Sequence, residues 1–168
     1  MRTPICTFCA KTGVLCPKCE AKLKNGHISR VDVEISVRLT KLADKLPEID
    51  KITIIRAFDI GGEYILVVKS GDPFILRKNP RTLKRIESEL GGKMWLIEGD
   101  ASDRRILEDL FYPVRIATVN VVWLPDGSKL TKAVISGRKT ANLPLDIEQV
   151  KRVIKEVRGI DLLVEFER

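Results

Sequence analysis

The chain has 168 residues, a formal charge of +7, and 44% hydrophobic against 5% aromatic residues. That length fits one domain or two small ones. No run of about 18 apolar residues occurs, which excludes a membrane-spanning helix, and the basic balance favours an anionic partner, with nucleic acid first.

The chain opens on Cys6-Thr-Phe-Cys9 and, six residues later, Cys16-Pro-Lys-Cys19. No other cysteine follows. Each Cys-x-x-Cys pair is expected to form a turn that points two sulfurs at one centre. Together the four supply a tetrahedral thiolate set, which suits zinc. A pair of disulfides and an iron–sulfur cluster are the alternatives. The segment has too few apolar side chains to fold alone, and a metal supplies on the order of 10 kcal/mol in small zinc modules. Four protein ligands close the shell and leave no position for substrate, so the site reads as structural. Lys11, Lys18, Lys22 and Lys24 offset its charge, and Gly13 suits the reversal between the pairs. His27, the single histidine, reads as a surface residue. Metal-type cysteines and the lack of an apolar signal core lead us to expect a reducing, cytoplasmic setting.

After the turn signal Asn25-Gly26, Ser29 is a helix cap. Val31, Ile35, Leu39, Leu42 and Leu46 then fall at helical spacing, interrupted by Val33 and Val37. Pro47 is expected to end that helix. Residues 51–58 and 64–69 read as a hairpin around Asp59-Ile60-Gly61-Gly62. Gly71-Asp72-Pro73 reads as a break. A helix over 80–90 follows, with Pro80 near its start, Leu83, Ile86 and Leu90 inward, and Gly91-Gly92 as its stop. Residues 93–98 form a third strand.

The order then repeats. Ser102 caps a helix that reaches Leu110 or Phe111, and Pro113 breaks it. Strands over 114–124 and 129–135 flank the turn Pro125-Asp126-Gly127. Residues 136–144 are a basic loop. Asp146 caps a helix through Arg158 with Ile147, Val150, Ile154 and Val157 inward, and 161–166 is the last strand. The fold class is therefore α+β. A cysteine module (1–28) precedes two units, 29–100 and 101–168, of one order: helix, strand, strand, helix, strand. Each unit should pack helices on one face of a three-stranded sheet.

That order resembles the type II KH domain, and two in tandem resemble the KH pair of the transcription factor NusA, especially its short archaeal relatives. Two stretches carry the likeness: Ile106-Leu-Glu-Asp-Leu-Phe-Tyr-Pro-Val-Arg115, similar to the linker into the second KH unit, and 153–166 with Arg158-Gly159-Ile160-Asp161. It covers about residues 30–168. A single glutamine and many charges fit a thermophile's composition. KH domains clamp a nucleic-acid strand with a Gly-x-x-Gly loop before the second helix. Here the matching loops are Leu76-Arg77-Lys78-Asn79 and Gly137-Arg138-Lys139-Thr140. Glycines are missing, but the basic middle pair is present in both.

The RNA-binding residues this implies are Arg77, Lys78, Arg81, Lys84 and Arg85 in the first unit, and Gly137, Arg138 and Lys139 in the second, near Lys129 and Lys132. A solvated face without a partner is the plain alternative. Trp95 and Trp123 lie in strands and read as core, with base stacking as the sharper role. Phe8 is placed either to cover the metal site or to stack. No catalytic residue stands out: there is no phosphate-binding loop or dinucleotide fingerprint, and Asp100, Asp103, Glu108 and Asp109 read as caps and surface charges. The resemblance implies a non-enzymatic factor in transcription elongation or termination that contacts RNA and RNA polymerase. The alternatives are a ribosome-associated or ribosomal protein on ribosomal RNA, and a protein-interaction scaffold that has lost RNA binding.

Overall fold

A computed structural model describes residues 1–111, 114–136 and 146–167. It divides into two compact units, Met1–Asp100 and Ala101–Arg168. Among the described residues no helix is long and apolar enough to cross a membrane.

The first unit begins with two short helices, α1 (Thr7–Thr12) and α2 (Pro17–Lys24), each started by a Cys-x-x-Cys pair. The long helix α3 (Arg30–Ala43) follows. Its start is doubly fixed. Ser29 and Asp32 form a reciprocal capping box, and the buried Asp32 carboxylate also accepts from Arg56 Nε at 2.9 Å and the Ala57 amide at 2.6 Å. Those residues lie on β1 (Ile54–Asp59), so one side chain caps the helix and docks it on the sheet.

Helix α3 stops at Ala43, earlier than its apolar period suggests. Pro47 does not end it but opens a further turn, α4 (Pro47–Asp50). A proline is tolerated in a first helical turn, where its missing N–H has no partner to lose. Strand β1 also starts later than expected, because residues 51–53 complete α4 and meet the chain's beginning. Arg2 donates to Ile52 O at 3.2 Å and accepts from the Ile54 amide at 2.8 Å.

Strands β1 and β2 (Tyr64–Val68) form the expected antiparallel hairpin. Gly71-Asp72-Pro73 does not simply break the chain; it starts a helix, α5 (Asp72–Arg77). Gly71 takes φ 88°, which turns the backbone, and Pro73 fits the first turn. Buried Asp72 accepts from the Thr53 amide at 2.7 Å and fastens α5 to the sheet. Helix α6 (Pro80–Leu90) then leads into β3 (Met94–Glu98), parallel to β2, for a sheet order β1-β2-β3. The core forms where Ile35, Leu39 and Leu42 of α3, Leu76 of α5, and Ile86 and Leu90 of α6 meet Ile54, Leu66 and Val68 of the sheet.

Two off-period residues of α3 have a separate use. Val33 and Val37 pack against Ile5, Cys9, Ala10, Cys19 and Ile28 in a second cluster. The cysteine segment thus borrows apolar surface from α3, which its own sequence lacks.

The stop of α6 is tightly built. A Cβ placed on Gly92 would lie 1.8 Å from the carbonyl oxygen of Gly62 in the β1–β2 turn. Gly92→Ala must therefore move backbone, and we expect a loss near the upper end of the ~1–3 kcal/mol typical of overpacking, read as a lower denaturant midpoint. A change below a few tenths would show that the turn yields freely.

The second unit has α7 (Asp103–Phe111), β4 (Ile116–Trp123), β5 (Lys129–Ile135), α8 (Ile147–Arg158) and β6 (Leu162–Phe166). Its sheet order is β4-β5-β6, with an antiparallel hairpin and a parallel last pair. Both units therefore place the second hairpin strand in the centre. Ile106, Leu107, Leu110 and Phe111 of α7 and Val150, Val153 and Ile154 of α8 are buried. Ile147 and Val157, expected inward, are only half-buried, and Val153 takes the inner place. At the end of α8, Arg158 donates to the carbonyl of Ala101, and its guanidinium lies 4.0 Å from Asp103.

Candidate functional site

In each Cys-x-x-Cys pair the first cysteine is a helix N-cap and the second lies in the first turn. This is more regular than the isolated turns expected, and it has a simple cause. An extended residue at the cap, three positions before a helical one, brings both side chains to the same end of the helix. Pro17 suits the start of α2, and Gly13, at φ 79°, ends α1 and sends the chain back toward the first pair.

The four sulfurs, of Cys6, Cys9, Cys16 and Cys19, all lie within 4.8 Å of one another. Cys6 Sγ is 3.2 Å from Cys9 Sγ and 3.9 Å from Cys16 Sγ, and none of the four is in a disulfide. Ligands ~2.3 Å from a tetrahedral ion would stand about 3.8 Å apart. The observed spacings fall on both sides of that value, and the four cysteines could bind a metal ion. Main-chain amides already point at the sulfurs: Cys16 N–H donates to Cys9 Sγ at 3.0 Å and Cys6 N–H to Cys19 Sγ at 3.4 Å. Such donors stabilise thiolates around a metal.

The environments differ between sulfurs. The Cys19 amide draws the Cys16 thiol down to about 6, with further help from neighbouring sulfurs. The Cys9 amide likewise lowers Cys6. At Cys9 the Cys16 amide pulls downward, but burial and the neighbouring thiols outweigh it and push the group up to about 12. Burial raises Cys19. Ionisation is thus easier at the outer Cys6 and Cys16 than at the inner Cys9 and Cys19. His27 is exposed and stands outside this group. Phe8 is 64% exposed and takes no part in the apolar cluster beneath the cysteines.

The second feature is a cationic surface on α5 and α6. Arg77 ends α5, Lys78 and Asn79 form the connection, and Arg81, Lys84 and Arg85 follow on α6 at one-turn spacing. All five cations are exposed. Among the described residues none has an ion-pair partner, whereas Arg38, Arg104, Lys132 and Lys155 each face a carboxylate. Of the expected loop Leu76–Asn79, only the last two residues lie outside helices. Leu76 is a fully buried core residue, so the stretch has no open clamp of its own.

Sequence reasoning missed Phe74. It is 64% exposed on α5, with Lys78 Nζ 4.7 Å from its ring centre. The signal was present, since a Phe four residues before a Lys shares its helix face, but it was hidden by reading the stretch as a loop. In the second unit Lys132 pairs with Glu165 at 2.9 Å. Gly137, Arg138 and Lys139 lie outside the described residues.

The two tryptophans part ways. Trp95 is half-buried, donates to Glu63 at 3.2 Å, and carries Lys93 over its ring at 4.0 Å. Trp123, expected in the core, is 70% exposed at the end of β4. The acidic residues of α7 act as surface charges: Glu108 and Asp109 face Arg104 and Arg105 one turn earlier.

No protein-family model matches this chain, and no curated protein matches it. It is similar to a solved protein described as "Crystal structure of APE1850", with a TM-score of 0.54 at 16% identity, over 77% of this chain and 95% of that one. At that identity the likeness concerns the fold alone.

Proposed function

We propose that this chain is an RNA-binding factor of the NusA-like kind, built from a structural zinc site and two degenerate type II KH units. The observation that carries the reading is the α5–α6 segment, with five exposed cations that have no carboxylate partner among the described residues and an exposed Phe74 ring under Lys78. Cations that could pair internally but do not are available to phosphates, and a ring beside them offers a base a stacking surface. From α3 through β3 the first unit runs helix, short helix, strand, strand, helix, helix, strand; apart from the single turn α4 this order supports the KH comparison, and the cationic connection falls between its last two helices.

On this reading the strand lies along α5–α6, held by Arg77, Lys78, Arg81, Lys84 and Arg85, while Phe74 stacks on one base. Because no glycine opens the connection, contact is by side chains rather than by a main-chain clamp. Binding should then be salt-sensitive and weakly selective. For the metal, zinc is our assignment: a closed set of four thiolates near tetrahedral spacing matches structural zinc and leaves no open coordination position. The site would shape a surface rather than perform chemistry. The reduced thiols it needs go with a cytoplasmic setting.

The test is single-stranded RNA binding over a range of salt. Replacing Arg77, Lys78, Arg81 and Lys84 with Ala should remove most affinity and flatten the salt dependence by up to about 0.7 per lost phosphate contact. Phe74→Ala should lose ~1–3 kcal/mol with the slope intact. Unchanged affinity in the four-residue variant overturns the assignment. Crosslinking in cells then separates roles: reads spread over nascent transcripts fit a transcription factor, and a sharp footprint on ribosomal RNA fits a ribosome-associated one.

A further inference from the structure

Strand β4 is an open edge. It pairs with β5 on one side, and among the described residues no strand lies on the other. Edge strands usually carry a charge, a proline or a bulge that discourages further pairing. The other edges follow that rule: β1 has Arg56 and Asp59, β3 has Glu98, and β6 has Glu165. From Ile116 to Pro125, Ile-Ala-Thr-Val-Asn-Val-Val-Trp-Leu-Pro, the chain has no charge at all, and its one proline falls after the strand. The one irregularity is between Ile116 and Thr118, at the start, so Thr118–Trp123 is regular. Val121 is 52% exposed, Trp123 70% and Leu124 40%, a large apolar exposure for one hairpin end.

We propose that this edge pairs with β4 of a second copy of the chain, antiparallel, to give a continuous six-stranded sheet. A two-fold axis perpendicular to the sheet pairs each residue on one side of the axis with one on the other side, and an uncharged strand brings no like charges together near that axis. Centred on Val121, the pairing sets Val121 against its own counterpart and Trp123 against Val119 of the other strand. The flanking charges favour the antiparallel sense. Arg115 precedes the strand, is exposed, and has no partner among the described residues, while exposed Asp126 follows the strand. Antiparallel pairing carries each Arg115 toward the other copy's Asp126, whereas a parallel one sets like beside like. A nucleic-acid strand has little to gain here, because the edge is neutral and Lys132 behind it is paired with Glu165. The inference is independent of the RNA reading.

The test is the mass of the full chain, nuclease-treated and in zinc and reductant, from low to high micromolar concentration. Wild type should form a dimer. Val121→Lys with Trp123→Lys sets like charges about the two-fold axis and should weaken the dimer by on the order of 100-fold, with the thermal midpoint unchanged at a concentration low enough for both proteins to be monomeric. Arg115→Glu, outside the strand and safe for folding, should weaken it by roughly 10-fold. Amide exchange in β4 of wild type should slow as concentration rises. A wild-type monomer at all concentrations overturns the proposal. So does a dimer that ignores both variants, and so does a monomer whose β4 is instead protected by an unrelated extended peptide.

Discussion

Cys9→Ser is expected to abolish metal binding by the four cysteines and to loosen the segment from Ile5 to Ile28, while the sheet of the first unit remains. Cys9 is fully buried and joins two structures at once: its sulfur is one of the four that could hold a metal ion, and its side chain lies in the cluster with Val33 and Val37. In small zinc modules binding and folding are one event of about 10 kcal/mol. Here the cluster on α3 offsets part of that dependence, so the metal-free segment should loosen rather than detach. The expected readings are one metal ion per wild-type chain, none in the variant, and loss of amide protection confined to α1 and α2. A strong chelator should reproduce the effect on wild type. Acid acts in the same direction, because protons compete with the ion for the sulfurs and metal leaves as pH falls. Retention of a full metal equivalent in Cys9→Ser would exclude the four-thiolate site. Cys6→Ser, at the exposed corner, should lose affinity with less structural damage.

The second large effect falls on Asp32. Its carboxylate is fully buried and accepts from Ser29 N–H at 2.7 Å, Arg56 Nε at 2.9 Å and Ala57 N–H at 2.6 Å. Asp32→Ala strands a partly buried guanidinium and two amides at once. Removing one partner from a buried pair costs ~3–5 kcal/mol, and that is the expected drop in unfolding free energy, measured by denaturant titration. Asp32→Asn keeps one acceptor oxygen, enough for one of the two amides, but turns its NH2 toward the remaining donors and removes the charge facing Arg56, so it should also lower stability. Glu34→Ala, which breaks only the exposed pair with Arg38, is the control and should change stability by less than about 1 kcal/mol. Equal effects at the two sites would mean that Asp32 does not fasten α3 to β1.

Both predictions concern contacts that no local reading reveals. Asp32 looks like an ordinary acidic residue in a first helical turn. Its partners Arg56 and Ala57 lie 24 and 25 positions away, on a strand. Val33 and Val37 looked like errors in an amphipathic stripe. They are the second face of a helix that packs against two bodies, the sheet and the cysteine segment. Tryptophan in a strand usually packs, which suggests a core place for Trp123, yet at the end of β4 it is 70% exposed.

What the sequence determined by itself was whatever depends on neighbours a few residues apart. The helix over 80–90, the strand over 129–135 and the helix capped by Asp146 have the bounds their periods and caps indicate. The metal-type spacing of Cys6, Cys9, Cys16 and Cys19 was equally plain, since three-residue separations bring side chains together in any tight turn or helix start. Tertiary structure alone decided that Gly71-Asp72-Pro73 begins a helix, because that helix is held by the Thr53 amide on Asp72 and by Leu76 in the core. It alone decided which cations stay unpaired, which aromatic rings stay outside, and which strand edge stays open. The physical reason is the same each time: period and capping energies are local, whereas burial and charge pairing depend on elements that sequence distance does not reveal.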